Sequence, residues 1–143
     1  MTIIAIRNGI IATDSGCFHN NLHIGGVTKI REIPAHLGGG FAAGAGETAK
    51  VVAALSMVAI KGWHARIDGE GISVIWLMSD GSVWAVEEAA TYQIEAEFHA
   101  EGSGKAVALG AMHAGASAGE AVEAACKIDM SCRPPIQIRS IKP

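Results

Sequence analysis

The dipeptide Asn8-Gly9 constrains this chain more than any other feature. It separates two β-branched runs, Thr2-Ile3-Ile4-Ala5-Ile6-Arg7 and Ile10-Ile11-Ala12-Thr13-Asp14-Ser15. Asn and Gly both tolerate the positive φ of a type I′ turn, so the spacing predicts a β-hairpin. A two-residue loop pairs Arg7 with Ile10 and sets Thr2 opposite Ser15. The first residues of the chain therefore come to lie beside Asp14-Ser15.

The rest of the chain alternates between strand and helix signals. Cys17 to Gly26 is polar and reads as an excursion or a short hairpin. Val27 to Ile33 alternates like a half-buried strand that Pro34 ends. Leu37 to Ala43 reads as a buried strand, leading through Gly44-Ala45-Gly46 into a helix from Glu47 to about Gly62. Val51, Leu55 and Val58 form one stripe of that helix; Val52, Ala59 and Ile60 add apolar surface elsewhere, which predicts a helix covered on more than one side. Ile72 to Met78 and Val83 to Glu87 form a second hairpin around Asp80-Gly81, and Tyr92 to Phe98 reads as one further strand. Gly102-Ser103-Gly104 opens a helix to about His113. Ser117-Ala118-Gly119-Glu120 is a capping-box pattern for a helix ending near Asp129. After Pro134-Pro135, Ile136 to Ile141 is a final strand. Strands, helix, strands, two helices and a strand define an α+β chain with antiparallel sheets covered by helices. With 143 residues and no linker or repeat, a single domain spanning 1–143 is expected.

Composition narrows the function. Half of the residues are apolar, the net charge is −3 and there is no basic run, so neither a disordered role nor nucleic-acid binding is expected. No apolar stretch reaches the length of about eighteen residues that marks a membrane span. The Met-Thr-Ile-Ile start has no basic region or cleavage site, so no signal peptide is expected. Three irregularly spaced cysteines fit a reduced cytoplasm better than a disulfide framework. The surplus of apolar residues hints at burial between subunits.

Several residues can carry chemistry. If Met1 is removed, Thr2 offers a hydroxyl and an α-amine on one residue. The amine, with a reference pKa of roughly 7.7–8.0, can act as the hydroxyl's general base. Asp14 lies near the chain's start after an apolar run, so its carboxylate needs a partner, and Lys29 is the first lysine in the chain. On composition alone a structural ion pair is the plainer reading, with a catalytic Lys–Asp pair left open. A strict two-residue turn puts Asp14 on the opposite face from the Thr2 side chain, whereas a three-residue loop with a bulge puts them on one face. Gly44-Ala45-Gly46, at a strand-to-helix junction, reads either as a Gly-rich turn or as an oxyanion site made of unpaired helix-start N–H groups. Gly102-Ser103-Gly104-Lys105 is not a phosphate loop, because His99 and Ala106 stand where that motif needs Gly and Ser or Thr. His19 and His23 lack the spacing that completes a zinc site. Neither a metal nor a cofactor is expected, and Cys126 reads as a core residue.

Taken in order, these motifs resemble the proteasome β-subunit family, including the bacterial HslV proteases, nearly end to end. Thr2 to Ser15 resembles the nucleophile strand and its Ala-Asp-Ser turn. Val27-Thr28-Lys29-Ile30 is similar to the strand of the catalytic lysine, and Phe41 to Gly46 to the stretch whose glycine N–H, here Gly44, forms the oxyanion hole. Gly102-Ser103-Gly104 resembles the family's Gly-Ser-Gly, whose serine hydrogen-bonds near the threonine amine, and Asp129 its late aspartate. The resemblance implies a four-layer αββα sandwich and hydrolysis of peptide bonds by Thr2. It also implies a homo-oligomeric ring acting on peptide or unfolded protein, in some members fed by an ATPase unfoldase. The implied pocket, lined by Val27, Ala42 and Gly46, is apolar. The chain departs from the family in its short length, in Gly16 where an arginine is common, and in Cys132 where a serine often stands. Two other readings stay open: a catalytically silent ring subunit, and an amidohydrolase of the same mechanism acting on a small amide.

Overall fold

The computed structural model describes residues 2–142. The Asn8–Gly9 turn closes as its chemistry dictates. β1 (Ile3–Arg7) and β2 (Ile10–Thr13) run antiparallel with Arg7 opposite Ile10 and Ile4 opposite Thr13. Both turn residues have positive φ, 53° and 71°. β3 (Gly16–His19) and β4 (Leu22–Gly26) form the small separate hairpin that the polar stretch allowed.

Two antiparallel sheets make up the rest of the β structure. Five strands pair in chain order: β5 (Ile30–Glu32), β6 (Phe41–Ala45), β7 (Ser73–Leu77), β8 (Val83–Val86) and β9 (Thr91–Ile94). The other sheet has four, in the order β10 (Phe98–Gly102), β1, β2, β11 (Gln137–Ser140). Helix α1 (Thr48–Lys61) connects β6 to β7; α2 (Lys105–His113) and α3 (Ala118–Ile128) connect β10 to β11. The capping box closes both ways: Ser117 Oγ accepts from the Glu120 N–H, and Glu120 Oε1 from the Ser117 N–H.

Strand alternation distributes the apolar residues into three cores. Ile3, Ala5 and Ala12 face α2 and α3, meeting Ala108, Met112, Ala121 and Val122. Ile4, Ile6 and Ile11 point the other way, onto Ile30, Ala43, Ile75 and Leu77 of the second sheet. The far face of that sheet, through Ala42, Val74 and Trp76, packs on Leu55 and Val58 of α1. β1 is thus buried on both faces, which is why its residues are apolar without interruption.

Four expectations need correction. Of Val27 to Ile33, only Ile30–Glu32 pairs as a strand, because residues 27–29 bond to other partners described below. Leu37 ends a 3-10 turn (Ala35–Leu37), and β6 starts only at Phe41. Tyr92 to Phe98 is not one strand: β9 closes one sheet and β10 opens the other, with residues 95–97 carrying the chain across. Alternation runs on through such a switch, so the pattern hides it. Finally, α1 is covered on one side: Val52 and Ile60 remain 49% and 66% exposed.

Candidate active site

The site forms where β1 begins. Thr2 is 6% exposed, and its carbonyl passes directly beneath β10. Gly102 makes that approach possible: a Cβ there would lie 2.0 Å from the Thr2 carbonyl oxygen, and φ is +102°, a conformation that favours glycine.

Asp14 resolves the register question without a bulge. The β1–β2 ladder ends at Ile4–Thr13, and Asp14 lies beyond it, so strand alternation no longer dictates its direction. Its carboxylate turns back into the structure. Oδ1 accepts from the Ile3 N–H at 3.2 Å and from Lys29 Nζ at 2.9 Å. Oδ2 accepts from the N–H groups of Gly16 at 3.2 Å and Arg133 at 3.0 Å. Four donors satisfy a carboxylate with no exposed surface. Lys29, 8% exposed, also donates from Nζ to Thr2 Oγ1 at 3.2 Å. A buried ammonium thus bridges the carboxylate and the threonine hydroxyl.

Ser103, Asp129 and two neighbours form a second arm. Ser103 Oγ donates to the Thr2 carbonyl at 3.4 Å and lies 3.4 Å from Ser131 Oγ. Asp129 Oδ1 accepts from the Ser131 hydroxyl at 2.6 Å and its N–H at 2.9 Å. These bonds, the hydroxyl's first, lower the Asp129 pKa to about 2. Ser131 was not expected here, although Asp-x-Ser is a local turn pattern that could have flagged it. Cys132 Sγ lies 3.5 Å from Asp129 Oδ2, and burial, followed by the charges of Asp14 and Asp129, pushes its thiol up to about 12.

Gly44 differs from its expected setting. It lies within β6, and α1 starts only at Thr48, so its N–H belongs to a strand and not to a helix start. Gly44 is buried, pairs with Val74 of β7 and is absent from the lining of the pocket beside Lys29.

A pocket opens beside the ammonium, with Thr2, Lys29, Val27 and Gly46 in its lining together with Phe18, Val51 and Leu55. Ala42 is not part of it. On the same face of β6 but deeper, Ala42 has no exposed surface and sits in the core under α1. Gly46 has φ +136°, and a Cβ there would lie 2.4 Å from Ile72 Cδ1. Gly16 is fixed by packing, since a Cβ would lie 2.9 Å from the Phe18 ring and 3.0 Å from Arg133 Cβ. His23 stacks near Phe18 at 5.2 Å between ring centres. Among the described residues, no group of three His, Cys, Asp or Glu side chains that could hold a metal comes together, and no helix is long and apolar enough to cross a membrane.

The chain has an HslV/proteasome-like fold. It is similar to eukaryotic HslV from Trypanosoma brucei, with a TM-score of 0.72 and 18% identity over 97% of this chain and 98% of that one. It is also similar to Thiobacillus denitrificans BPH, at a TM-score of 0.68 and 18% identity over 99% of this chain and 98% of that one. The complex of BPH with epoxomicin gives the same TM-score and identity, over 99% of both chains. No protein-family model matches the sequence, and no curated protein matches it.

Proposed function

We propose that this chain is a threonine peptidase of the proteasome type, with Thr2 as nucleophile once Met1 is removed. Met1 itself lies outside the described residues. One observation carries the reading: the Lys29 ammonium stands 2.9 Å from Asp14 Oδ1 and 3.2 Å from Thr2 Oγ1, beside an apolar pocket. The Thr2 hydroxyl attacks a peptide carbonyl while the Thr2 amine, directly or through water, takes its proton. The Lys29 charge, held by Asp14, stabilises the alkoxide. The Gly44 N–H receives the oxyanion, a contribution of about 3–4 kcal/mol. Water then hydrolyses the acyl-enzyme, with Ser103 and Asp129 orienting the amine through the Thr2 carbonyl and Ser131.

The same reading makes residues 1–143 one domain, and the three cores support a four-layer αββα order of helices, sheet, sheet and helix. It includes a cytoplasmic homo-oligomeric ring acting on unfolded protein, with an ATPase unfoldase as a partner in keeping with the family resemblance. Exposure of Leu22, Ile24, Ile128 and Met130 at 63–76% supports assembly.

The test is turnover of a fluorogenic peptide with an apolar residue before the scissile bond. Wild type should release the fluorophore, and Thr2→Ala and Lys29→Ala should not. Hydrolysis that persists in Thr2→Ala would contradict the reading.

A further inference from the structure

From Val27 to Lys29 the chain runs between β4 and β5 outside any strand ladder. Backbone groups beside a buried site need other partners. The Val27 N–H donates to the Ser15 carbonyl at 2.9 Å. The Lys29 N–H and the Val27 carbonyl are both satisfied by one side chain, Gln137 on β11. Its Oε1 accepts from the Lys29 N–H at 2.9 Å, and its Nε2 donates to the Val27 carbonyl at 2.7 Å. Nε2 also donates to Ser15 Oγ at 2.8 Å, and that hydroxyl donates to the Pro135 carbonyl.

The carboxamide meets residues 27 and 29 as a strand's peptide group would, its C=O on an N–H and its NH₂ on a C=O. Its own backbone is fixed, because Gln137 stands opposite Thr13 in the β2–β11 ladder, one residue before Asp14. Lys29 is therefore gripped twice from the same end of β2. Asp14 holds its ammonium directly, and Gln137 holds its backbone N–H across β11. Gln137 brings no charge to the site and is absent from the pocket lining.

We propose that Gln137 is a positioning residue, setting the Lys29 ammonium at the Thr2 hydroxyl through the Lys29 backbone. The catalytic part of this assignment rests on the reading of Thr2 as nucleophile. Removing the carboxamide should let residues 27–29 shift and carry the ammonium away from Thr2. A positive neighbour lowers the pKa of the Thr2 amine, so its retreat raises the pH at which that amine becomes a base. The Val27 N–H bond to Ser15 remains, so binding in the pocket should change less than the rate.

The experiment compares wild type, Gln137→Leu and Gln137→Glu with two readouts. The first is the pH dependence of Thr2 modification by epoxomicin at saturating and subsaturating concentrations. Gln137→Leu should react roughly tenfold more slowly at saturation, with its profile moved to higher pH and half-saturation little changed. Gln137→Glu keeps an acceptor for the Lys29 N–H but has no donor for the Val27 carbonyl, so it should recover the rate only in part. The second readout is backbone amide hydrogen exchange. In Gln137→Leu the Lys29 amide should lose its protection while Ile30–Glu32 keep theirs, and in Gln137→Glu it should stay protected. An unchanged rate and pH profile in Gln137→Leu, or an unchanged Lys29 amide, would overturn the proposal. A general loosening of β11 and β5 would overturn it as well, by making the role merely structural. Should wild type itself take no probe, the nucleophile reading fails separately, and the exchange at Lys29 alone decides whether Gln137 holds it.

Discussion

Asp14 and Lys29 meet at 2.9 Å in a site where the carboxylate has no exposed surface and the ammonium very little. The same carboxylate also collects the N–H groups of Ile3, Gly16 and Arg133. It joins the start of β1, the turn after β2 and the segment before β11, so it organises the fold and the site together.

Asp14→Ala should therefore be costly beyond activity. Removing one partner of a buried pair costs about 3–5 kcal/mol, and here three amide donors lose their acceptor as well. Urea unfolding should show that loss. Lys29→Met should be milder, because Asp14 keeps its three N–H donors, yet it should abolish peptide hydrolysis. Equal stability losses for the two variants would contradict this division.

Gly102→Ala should injure both fold and site. The new Cβ would have to sit 2.0 Å from the Thr2 carbonyl at a φ of +102°. At least about 2 kcal/mol should be lost, with a lower Tm. Any folded fraction should react slowly, because the Thr2 carbonyl is the group displaced. A wild-type Tm would show that β10 does not hold Thr2 as described.

Asp129 gives a pH dependence with a defined sign. Its folded pKa of about 2 lies below the ordinary value of 3.8, so its bonds stabilise the fold above that ordinary value. The contribution is lost as pH falls from about 4 to about 2. The group is only partly buried, so solvent screening keeps the effect to about 1 kcal/mol or less. The stability gap between wild type and Asp129→Asn should be present at pH 6 and vanish near pH 2. A gap that widens toward low pH would contradict the Ser131 contacts.

The pocket should select by polarity. Val27, Val51 and Leu55 line it, and Lys29, its one charged group among the described residues, is engaged by Asp14. Peptides with apolar side chains before the scissile bond should outperform charged ones. Val52 lines the pocket yet is 49% exposed, so Val52→Glu should fold normally. It should raise kcat/KM for a basic side chain, relative to an apolar one, by roughly tenfold. An unchanged ratio would place the specificity pocket elsewhere.

Much of this was legible because it is local. Asn8-Gly9 sets the β1–β2 register, Ser117 and Glu120 set the start of α3, and the order of Thr2, Asp14 and Lys29 placed the candidate chemistry at one end of the first hairpin. What escaped was non-local or silent in pattern. Gln137 lies 108 residues from Lys29, and nothing in Ile136-Gln137-Ile138 marks its side chain as a strand substitute. Residues 27–29 alternate like a strand but bond elsewhere, and residues 92–98 alternate through a change of sheet. Ala42 was expected in the pocket lining; α1 covers that face of β6 and seals it off.

The most direct test of the central claim is intact mass spectrometry of the purified protein before and after epoxomicin. The account predicts a chain that has lost Met1 and gains one adduct, with none on Thr2→Ala. A chain that has lost Met1, remains folded and takes no adduct, or one whose Thr2→Ala form is modified equally, would contradict it.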